Sequence, residues 1–502
     1  MEKLNLSELH KSLRQGYLPL RNKVTEFLSR NGLVYENNGD LDLCQFDERF
    51  LQALWNEQFF VGPLETVSGV PFRVISSGTW NLEPGPDFKN AAIRIGDVIR
   101  HGDIEIHRRT NDWFHHGHND DCNYKNVVLH VVWEHHVNDS VNHAGESLPP
   151  CFEMQSFMDR PWQAASDAID LDRDYPYARQ VPPGGCAPRW AKLNDDELSH
   201  VFQVAGLARL REKASQLQSN AVAYGTDQSI YEAVFEALGY KANKHNFRTL
   251  AREVKLSYLT DLPDKLSRQA ALFGTAGLLP DITREKLSGL RRHITRQLWD
   301  AWWRLGRQPV RTGWLRGTCR PLNSPERRLA AGVELMERWE WYPAKAIKGI
   351  VREANTEKEL IKGLRSELSF TSQWDSFTTL KHSLKRPARL LGESRQRDLI
   401  INVLLPAAWA ITADDELVDP ERNDLIDSAL LQLPRLQKNR ALKEAAHRFL
   451  LPPSRFEHVA RRACEQQGVL ALYKDFCVRL DRDCSNCPVM NSELLENLVL
   501  AR

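Results

Sequence analysis

Asp87, Glu105 and His107 are the residues whose types and spacing first suggest chemistry, and all three fall in SSGTWNLEPGPDFKNAAIRIGDVIRHGDIEIH, residues 76–107. Side chains alternate along a strand, so Glu105 and His107 point to the same face. If the two candidate strands of this stretch pair as a hairpin, Asp87 approaches that face. Two carboxylates and a nitrogen ligand on one sheet edge would hold a hard divalent cation, Mg²⁺ or Mn²⁺. Such a cation activates water and stabilises a pentacovalent phosphate.

A second polar run, DWFHHGHNDD, follows at once and offers His115, His116, His118, Asp120 and Asp121. His116 and Asp120 are four residues apart, which aligns them on one face of a helix. These residues could bind Zn²⁺ or Mn²⁺ by themselves, as a zinc hydrolase of a small molecule would. Both runs also have a plainer reading. Gly85-Pro86-Asp87 is a turn with an Asx-type bond, Glu105 and His107 are the solvent face of an amphipathic strand, and the histidines line a polar loop. His130 lies inside an apolar strand and reads as a hydrogen-bonded core histidine.

Two further sets of residues could carry function. Cys464, Cys477, Cys484 and Cys487 are spaced C-x12-C-x6-C-x2-C, with Pro488 after the last. Four thiolates at that density suit a tetrahedral Zn²⁺ or a [4Fe–4S] cluster. Cys44, Cys122, Cys151, Cys186 and Cys319 are scattered and read as buried or free thiols. In the helical middle, YKANKHNFR sets Lys241, Lys244, His245 and Arg248 after a helix end, and CRPLNSPERR places Arg320, Arg327 and Arg328 around a turn into a helix. RRHITRQLWDAWWRLGRQPVR interleaves basic residues with Trp299, Trp302 and Trp303. Arginine forks suit phosphate oxygens and exposed tryptophans stack bases, so Lys241, Lys244, Arg320, Arg327 and Arg328 are candidate nucleic-acid contacts. The alternative is a tryptophan core with arginines on a solvated or acid-paired face, which the net charge of +1 favours.

The elements that must position these groups follow from the pattern. The chain has 502 residues, 42% hydrophobic and 26% charged, which fits several globular domains and excludes wholesale disorder. The N-terminus lacks a secretory leader and no run reaches membrane-span length, so a cytoplasmic protein without a membrane partner is expected. The longest apolar stretch, LIINVLLPAAWAI at 399–411, reads as a buried helix. Residues 1–60 have helical spacing, with Phe50, Leu51, Leu54 and Trp55 on one face of the segment 47–60. Short β-type runs fill 61–171, a Pro- and Gly-rich linker occupies 172–195, helices run from 196 to 450, and a cysteine module closes the chain at 451–502. The N-terminal helices are expected to pack on the sheet domain. The fold class expected is α+β.

The order helix, three strands, helix-like segment, strand resembles the αβββαβ core of the PD-(D/E)XK nuclease superfamily, with Pro86-Asp87 before the second strand and Glu105-x-His107 on the third. The resemblance implies a metal at Asp87 and Glu105, with Glu48 or Glu57 on the first helix as extra acidic ligands. The position of the family lysine holds His107, which would serve as base or ligand but not stabilise phosphate charge as a lysine does. The x6-x2 cysteine spacing looks like part of the cluster loop of endonuclease III-type glycosylases, with the fourth cysteine upstream instead of downstream. Across nearly the whole chain, GTWNLEPGPDFKNAAIRIG, ALGYKANKHNF, FGTAGLL and CRPLNSPERRLA resemble a bacterial family known only as a domain of unknown function. The function expected is a divalent-metal-dependent nuclease or phosphodiesterase with a C-terminal iron–sulfur or zinc site. The alternatives are a non-catalytic nucleic-acid-binding or scaffold protein on a nuclease-like fold, and the small-molecule zinc hydrolase.

Overall fold

The computed structural model describes residues 6–30, 48–81, 85–116, 118, 121–135, 148–159, 162, 165, 169, 183–285, 287, 289–310, 314, 321–413, 420–438, 440–480, 484 and 487–490. The chain is mixed α/β and divides into two compact units, residues 35–179 and residues 1–34 with 180–502. The division at 179/180 falls inside the Pro- and Gly-rich segment 172–195. Residues 1–34 join the helical unit and not the sheet unit: Leu9, Leu13, Tyr17, Leu20 and Val24 are buried in its core, and Tyr17 Oη donates to Asp475 at 2.9 Å. Nor do residues 451–502 stand apart, since Ala463, Cys464, Val469 and Leu472 are buried in that same core.

The sheet unit begins with the helix Glu48–Glu57, whose Phe50, Leu51, Leu54 and Trp55 are buried as the spacing predicts. Seven strands follow: β1 (Leu64–Glu65), β2 (Pro71–Ser76), β3 (Thr79–Trp80), β4 (Phe88–Ile95), β5 (Val98–Arg109), β6 (Val127–Glu134) and β7 (Cys151–Glu153). They form one sheet in the order β1-β2-β4-β5-β6-β7, with β3 paired to β4. β2, β4 and β5 are a meander of antiparallel neighbours, whereas β6 and β7 lie parallel to β5 and to one another. The switch follows from the connections: Gly96-Asp97 closes a tight hairpin, while a parallel partner needs a longer crossover, which residues 110–126 provide.

β5 is buried on both faces along its second half. Ile104 and Ile106 enter the apolar core with Leu51, Leu54, Trp55, Ile93, Leu129 and Phe152. Asp103, Glu105 and His107, on the alternate positions, are only 5%, 5% and 1% exposed. They are therefore not the solvent face of an amphipathic strand. Gly102 precedes them for a steric reason: a Cβ there would sit 2.4 Å from Asn126 O and 2.4 Å from Val128 Cγ1. Only glycine lets the start of β6 approach so closely that Asp103 N donates to Asn126 O at 2.9 Å.

The helical unit is built on the 30-residue helix Asp195–Tyr224, which opens on the capping box of Asn194 and Glu197. The helix Ala463–Leu472 crosses it at a pair of glycines. A Cβ on Gly468 would lie 1.7 Å from Phe202 O and one on Gly206 would lie 2.3 Å from Cys464 O, so the crossing requires both. The apolar stretch 399–411 is a buried helix, with a π turn at Ile400–Leu404 just ahead of Pro406. A wider turn there relieves the clash and the lost hydrogen bond that proline imposes. Among the described residues, no helix is long and apolar enough to cross a membrane.

Candidate functional site

The carboxylates come together through backbone geometry. β4 carries one extra residue between the Phe88↔Ile104 and Ala91↔Gly102 pairs, and Asn90 takes up the bulge at a φ of 58°. Ahead of the bulge, Asp87 N donates to Glu105 Oε2 at 3.1 Å, and Ile106 N donates to Asp87 Oδ2 at 2.9 Å. The remaining Asp87 oxygen accepts from Gln52 Nε2 at 2.6 Å, so the first helix fixes this carboxylate. Behind the bulge, Asp103 accepts from Asn90 N at 3.2 Å and pairs with Lys89 Nζ at 3.0 Å. Asp103 is thus a structural acid of the bulge.

Glu105 Oε1 faces a group of imidazoles. It lies 3.3 Å from His107 Nε2 and 3.2 Å from His118 Nε2. His107 Nε2 is in turn 3.2 Å from His118 Nε2 and 3.1 Å from His116 Nδ1. The ligand-capable nitrogens of His107, His116 and His118 all lie within 4.8 Å of one another. The two polar runs that the sequence offers as separate sites are therefore one site. The short helix Asp112–His115 and the turn after it fold the second run back over β5. His115 takes its place on that helix, its side chain lies outside the described residues, and so does Asp120, whose predicted alignment with His116 is not described.

Around these groups the wall is aromatic. Tyr124 stacks on His118 with ring centroids 3.7 Å apart, and Trp113 meets His107, His118 and His130 at 6.5, 5.5 and 5.1 Å. His130, as expected, is a buried core histidine with a hydrogen bond, but its partner is the site: its Nε2 lies 2.9 Å from His107 Nδ1. In the tautomer that donates from His107 Nδ1, His107 Nε2 keeps its lone pair toward Glu105. His116 is exposed, which leaves the cluster open to solvent on that side.

Burial sets the electrostatics. It pushes the Glu105 carboxyl up to about 8, with Glu48 adding to the rise, while the Asp87 amide and Lys89 oppose it. Asp87 is raised well above the usual carboxylate range by burial, by Glu105 and by Glu48, against the Ile106 amide. Burial and the neighbouring imidazoles hold His107 well below its usual value, and burial lowers His130 to about 3. His118 is also lowered, by burial. Neutral imidazoles beside crowded carboxyls form a donor set that a cation would stabilise. Of the two acidic residues proposed on the first helix, Glu48 acts on this site. Glu57 is exposed nine residues on, at the far end of the helix.

Among the described basic residues of the helical middle, Arg327 and Arg328 are spent inside the protein. Arg327 is fully buried and donates to four carbonyls: Nη1 to Trp374 O at 2.6 Å and Phe377 O at 2.5 Å, Nη2 to Ala388 O at 2.7 Å and Arg389 O at 3.2 Å. Arg328, 5% exposed, donates to Leu390 O at 2.9 Å and covers the Tyr240 ring. Both are clamps that fix residues 374–390, and a guanidinium spent on carbonyls has no fork left for phosphate. Lys244 pairs with Glu236 at 2.9 Å. Lys244→Ala is expected to leave both DNA binding by electrophoretic mobility shift and thermal stability unchanged, within about 0.5 kcal/mol for an exposed pair. The Lys241 side chain and Arg320 lie outside the described residues. Trp302 is buried against Gly274 and Trp299 Nε1 donates to Pro280 O at 2.8 Å, so only Trp303 of the three is exposed.

The cysteines group differently from their spacing. Cys464 and Cys477 stand on one continuous helical run, Ala463–Leu472 followed by the π segment Tyr473–Val478. Thirteen residues at about 1.5 Å each put them about 20 Å apart. Cys464 instead lies in the helix crossing, its Sγ 3.5 Å from Gln203 O. Cys477, Cys484 and Cys487 gather with Cys186, one of the cysteines read as scattered. Gly185 N donates to Cys484 Sγ at 3.4 Å. No spacing signal marks Cys186, about 300 residues upstream. Cys122 and Cys151 are free thiols; Cys44 and Cys319 lie outside the described residues.

Fold and site together define an α/β domain with a cluster of three histidines, two of them buried, and a buried glutamate on the face of a mixed sheet opposite its apolar core. The chain belongs to the family described as "Protein of unknown function (DUF2851)", whose model matches residues 48–435, a span that holds the whole cluster. No curated protein and no solved structure matches it.

Proposed function

We propose that the sheet unit is a divalent-metal-dependent phosphodiesterase of the nuclease type, with the cation held by Glu105, His107, His116 and His118. The observation that carries this reading is that Glu105 Oε1 lies 3.2–3.3 Å from His107 Nε2 and His118 Nε2, that His107 Nε2 lies 3.1–3.2 Å from His116 Nδ1 and His118 Nε2, and that the three imidazoles offer nitrogens within 4.8 Å of one another. Ligand atoms about 2.0–2.1 Å from a tetrahedral ion stand about 3.3–3.4 Å from one another. Three imidazoles favour Mn²⁺, Fe²⁺ or Zn²⁺ over Mg²⁺, which prefers oxygen and retains its waters. Of the Mg²⁺ or Mn²⁺ expected at Asp87 and Glu105, this donor set favours Mn²⁺, with Glu105 as its carboxylate. Asp87 becomes a positioning residue, because its oxygens already accept from Gln52 and Ile106.

Phosphodiester chemistry is supported by topology. On this reading the antiparallel meander of β2, β4 and β5 and the crossover to parallel β6 are the counterpart of the αβββαβ core that the sequence resembles, in which Asp87 and Glu105 would hold the corresponding positions. A bound divalent ion would supply a water acidic enough to ionise near neutral pH. The chain's own residues would hold that ion and exclude bulk water on the Trp113 and Tyr124 side.

The test uses the full chain loaded with Mn²⁺ or Zn²⁺ and assayed on bis(p-nitrophenyl) phosphate, single-stranded DNA and RNA. Metal-dependent cleavage that disappears in His118→Ala supports the reading. Metal bound at this cluster with no turnover of any phosphodiester would favour a non-catalytic role, which the full engagement of Asp87 also suits. Turnover of carboxylic esters or amides alone would favour the small-molecule hydrolase.

His130 provides an independent check, since an imidazole partner fixes the tautomer and orientation of a ligating histidine. His130→Phe is expected to weaken metal affinity about 10- to 100-fold, read by competition with a chromophoric chelator, while the circular dichroism spectrum stays unchanged. Unchanged affinity would mean that His107 does not ligate through Nε2.

A further inference from the structure

Four thiols from three separate segments meet in the helical unit: Cys186 ahead of the helix Ala187–Trp190, Cys477 in the π segment, and Cys484 and Cys487 in the segment that follows. Cys186, Cys477 and Cys487 are 4%, 6% and 6% exposed, and Cys484 is half-buried. None is in a disulfide. The Gly-Gly-Cys turn is tied to the group by its backbone: Gly184 N donates to Arg448 O at 2.8 Å, and Gly185 N to Cys484 Sγ at 3.4 Å. A Cβ on Gly185 would lie 3.1 Å from Met490 Sδ and 3.4 Å from Cys484 Cβ, so the turn is seated directly on the Cys484–Met490 segment.

Hydrogen-bond donors are aimed at the sulfurs. Arg448, 4% exposed at the end of the helix Arg440–Phe449, donates Nη2 to Cys484 Sγ at 3.3 Å and also bonds Cys477. The amide of Val489 bonds Cys487, and Met490 N donates to the Cys487 carbonyl at 2.9 Å. Donors of this kind stabilise negative charge on sulfur. Burial and the neighbouring thiols push Cys186 up to about 12, and burial does the same to Cys477. A thiophilic cation replaces the protons and gives the donors their anionic partners.

We propose that Cys186, Cys477, Cys484 and Cys487, and not Cys464, form a four-thiolate metal centre, with Arg448 hydrogen-bonded to its sulfurs. Zinc and an iron–sulfur cluster share this donor chemistry. The centre would staple the Gly184–Cys186 turn to the C-terminal segment, and it does not depend on the hydrolase reading.

The experiment measures metal and acid-labile sulfide on anaerobically purified full-length protein, in the wild type and in His118→Ala, Cys186→Ser and Cys464→Ser variants. The expected result is about one equivalent of zinc, or about four each of iron and sulfide, retained in His118→Ala and Cys464→Ser and lost in Cys186→Ser. Visible charge-transfer absorption assigns iron–sulfur, and its absence with bound zinc assigns zinc. Should Cys186→Ser fail to fold, native alkylation of the wild type decides: Cys122, exposed, reacts at once, while half-buried Cys484 reacts only after metal is removed by a chelator or oxidant. Loss of the metal in Cys464→Ser but not in Cys186→Ser, immediate alkylation of Cys484, or a Cys186–Cys484 disulfide found by mass spectrometry would each overturn the proposal.

Discussion

Glu105→Gln is expected to strip the metal from the sheet unit and to lower phosphodiester cleavage by about three orders of magnitude or more, to the level without metal. The substitution keeps shape and volume but replaces the anionic Oε1, 3.2–3.3 Å from His107 and His118, with a neutral group. Stability of the metal-free protein should change little. Burial pushes Glu105 up to about 8, so the metal-free carboxyl is largely protonated at neutral pH, and a carboxamide resembles that form. The variant also separates Glu105 from Asp87. Asp87→Asn risks the bond from Ile106 N that anchors the start of β4, so it is expected to lower thermal stability as well as activity. Metal content by mass spectrometry, cleavage rate and melting temperature read all three effects. A Glu105→Gln protein that keeps its metal and its rate would remove Glu105 from the site.

The second large effect lies in the helical unit. Arg327→Ala is expected to destabilise that unit by about 3–5 kcal/mol, because it takes the guanidinium donors from four carbonyls, of which Trp374 O still accepts from Phe377 N, and opens a cavity where a fully buried side chain stood. Arg327→Lys should recover only part of this, since a single ammonium cannot span carbonyls from both Trp374–Phe377 and Ala388–Arg389. Calorimetry is expected to show the fall as a drop of several degrees in one of the transitions of this two-unit chain. If Arg327 were instead a phosphate contact, the alanine variant would lose nucleic-acid affinity at unchanged stability.

Much of the sheet unit is legible in local pattern. The helix at 47–60 and the short strands between 61 and 171 follow from periodicity, which acts over a few residues. The alternation of Ile104 and Ile106 with Glu105 and His107 fixes which residues share a face of β5. Asp87 meets Glu105 because a hairpin joins their strands.

What the sequence by itself determined, then, is local: which residues form strands or helices, and that Asp87, Glu105 and His107 lie together. The tertiary structure alone decided three things. The crossover after β5 turns back over its own strand, merging His116 and His118 with Glu105 into one cluster, because a parallel neighbour requires a return loop and the helix Asp112–His115 directs it. Arg327 and Arg328 became clamps rather than a surface, since the donors of a guanidinium fork can be satisfied by backbone carbonyls that chain folding brings around it. Cys186 replaced Cys464 among the gathered thiols, because helical rise carries Cys464 about 20 Å from Cys477 while chain folding brings a distant turn beside it. Spacing measures distance along the chain, and these three outcomes depend on distance through space.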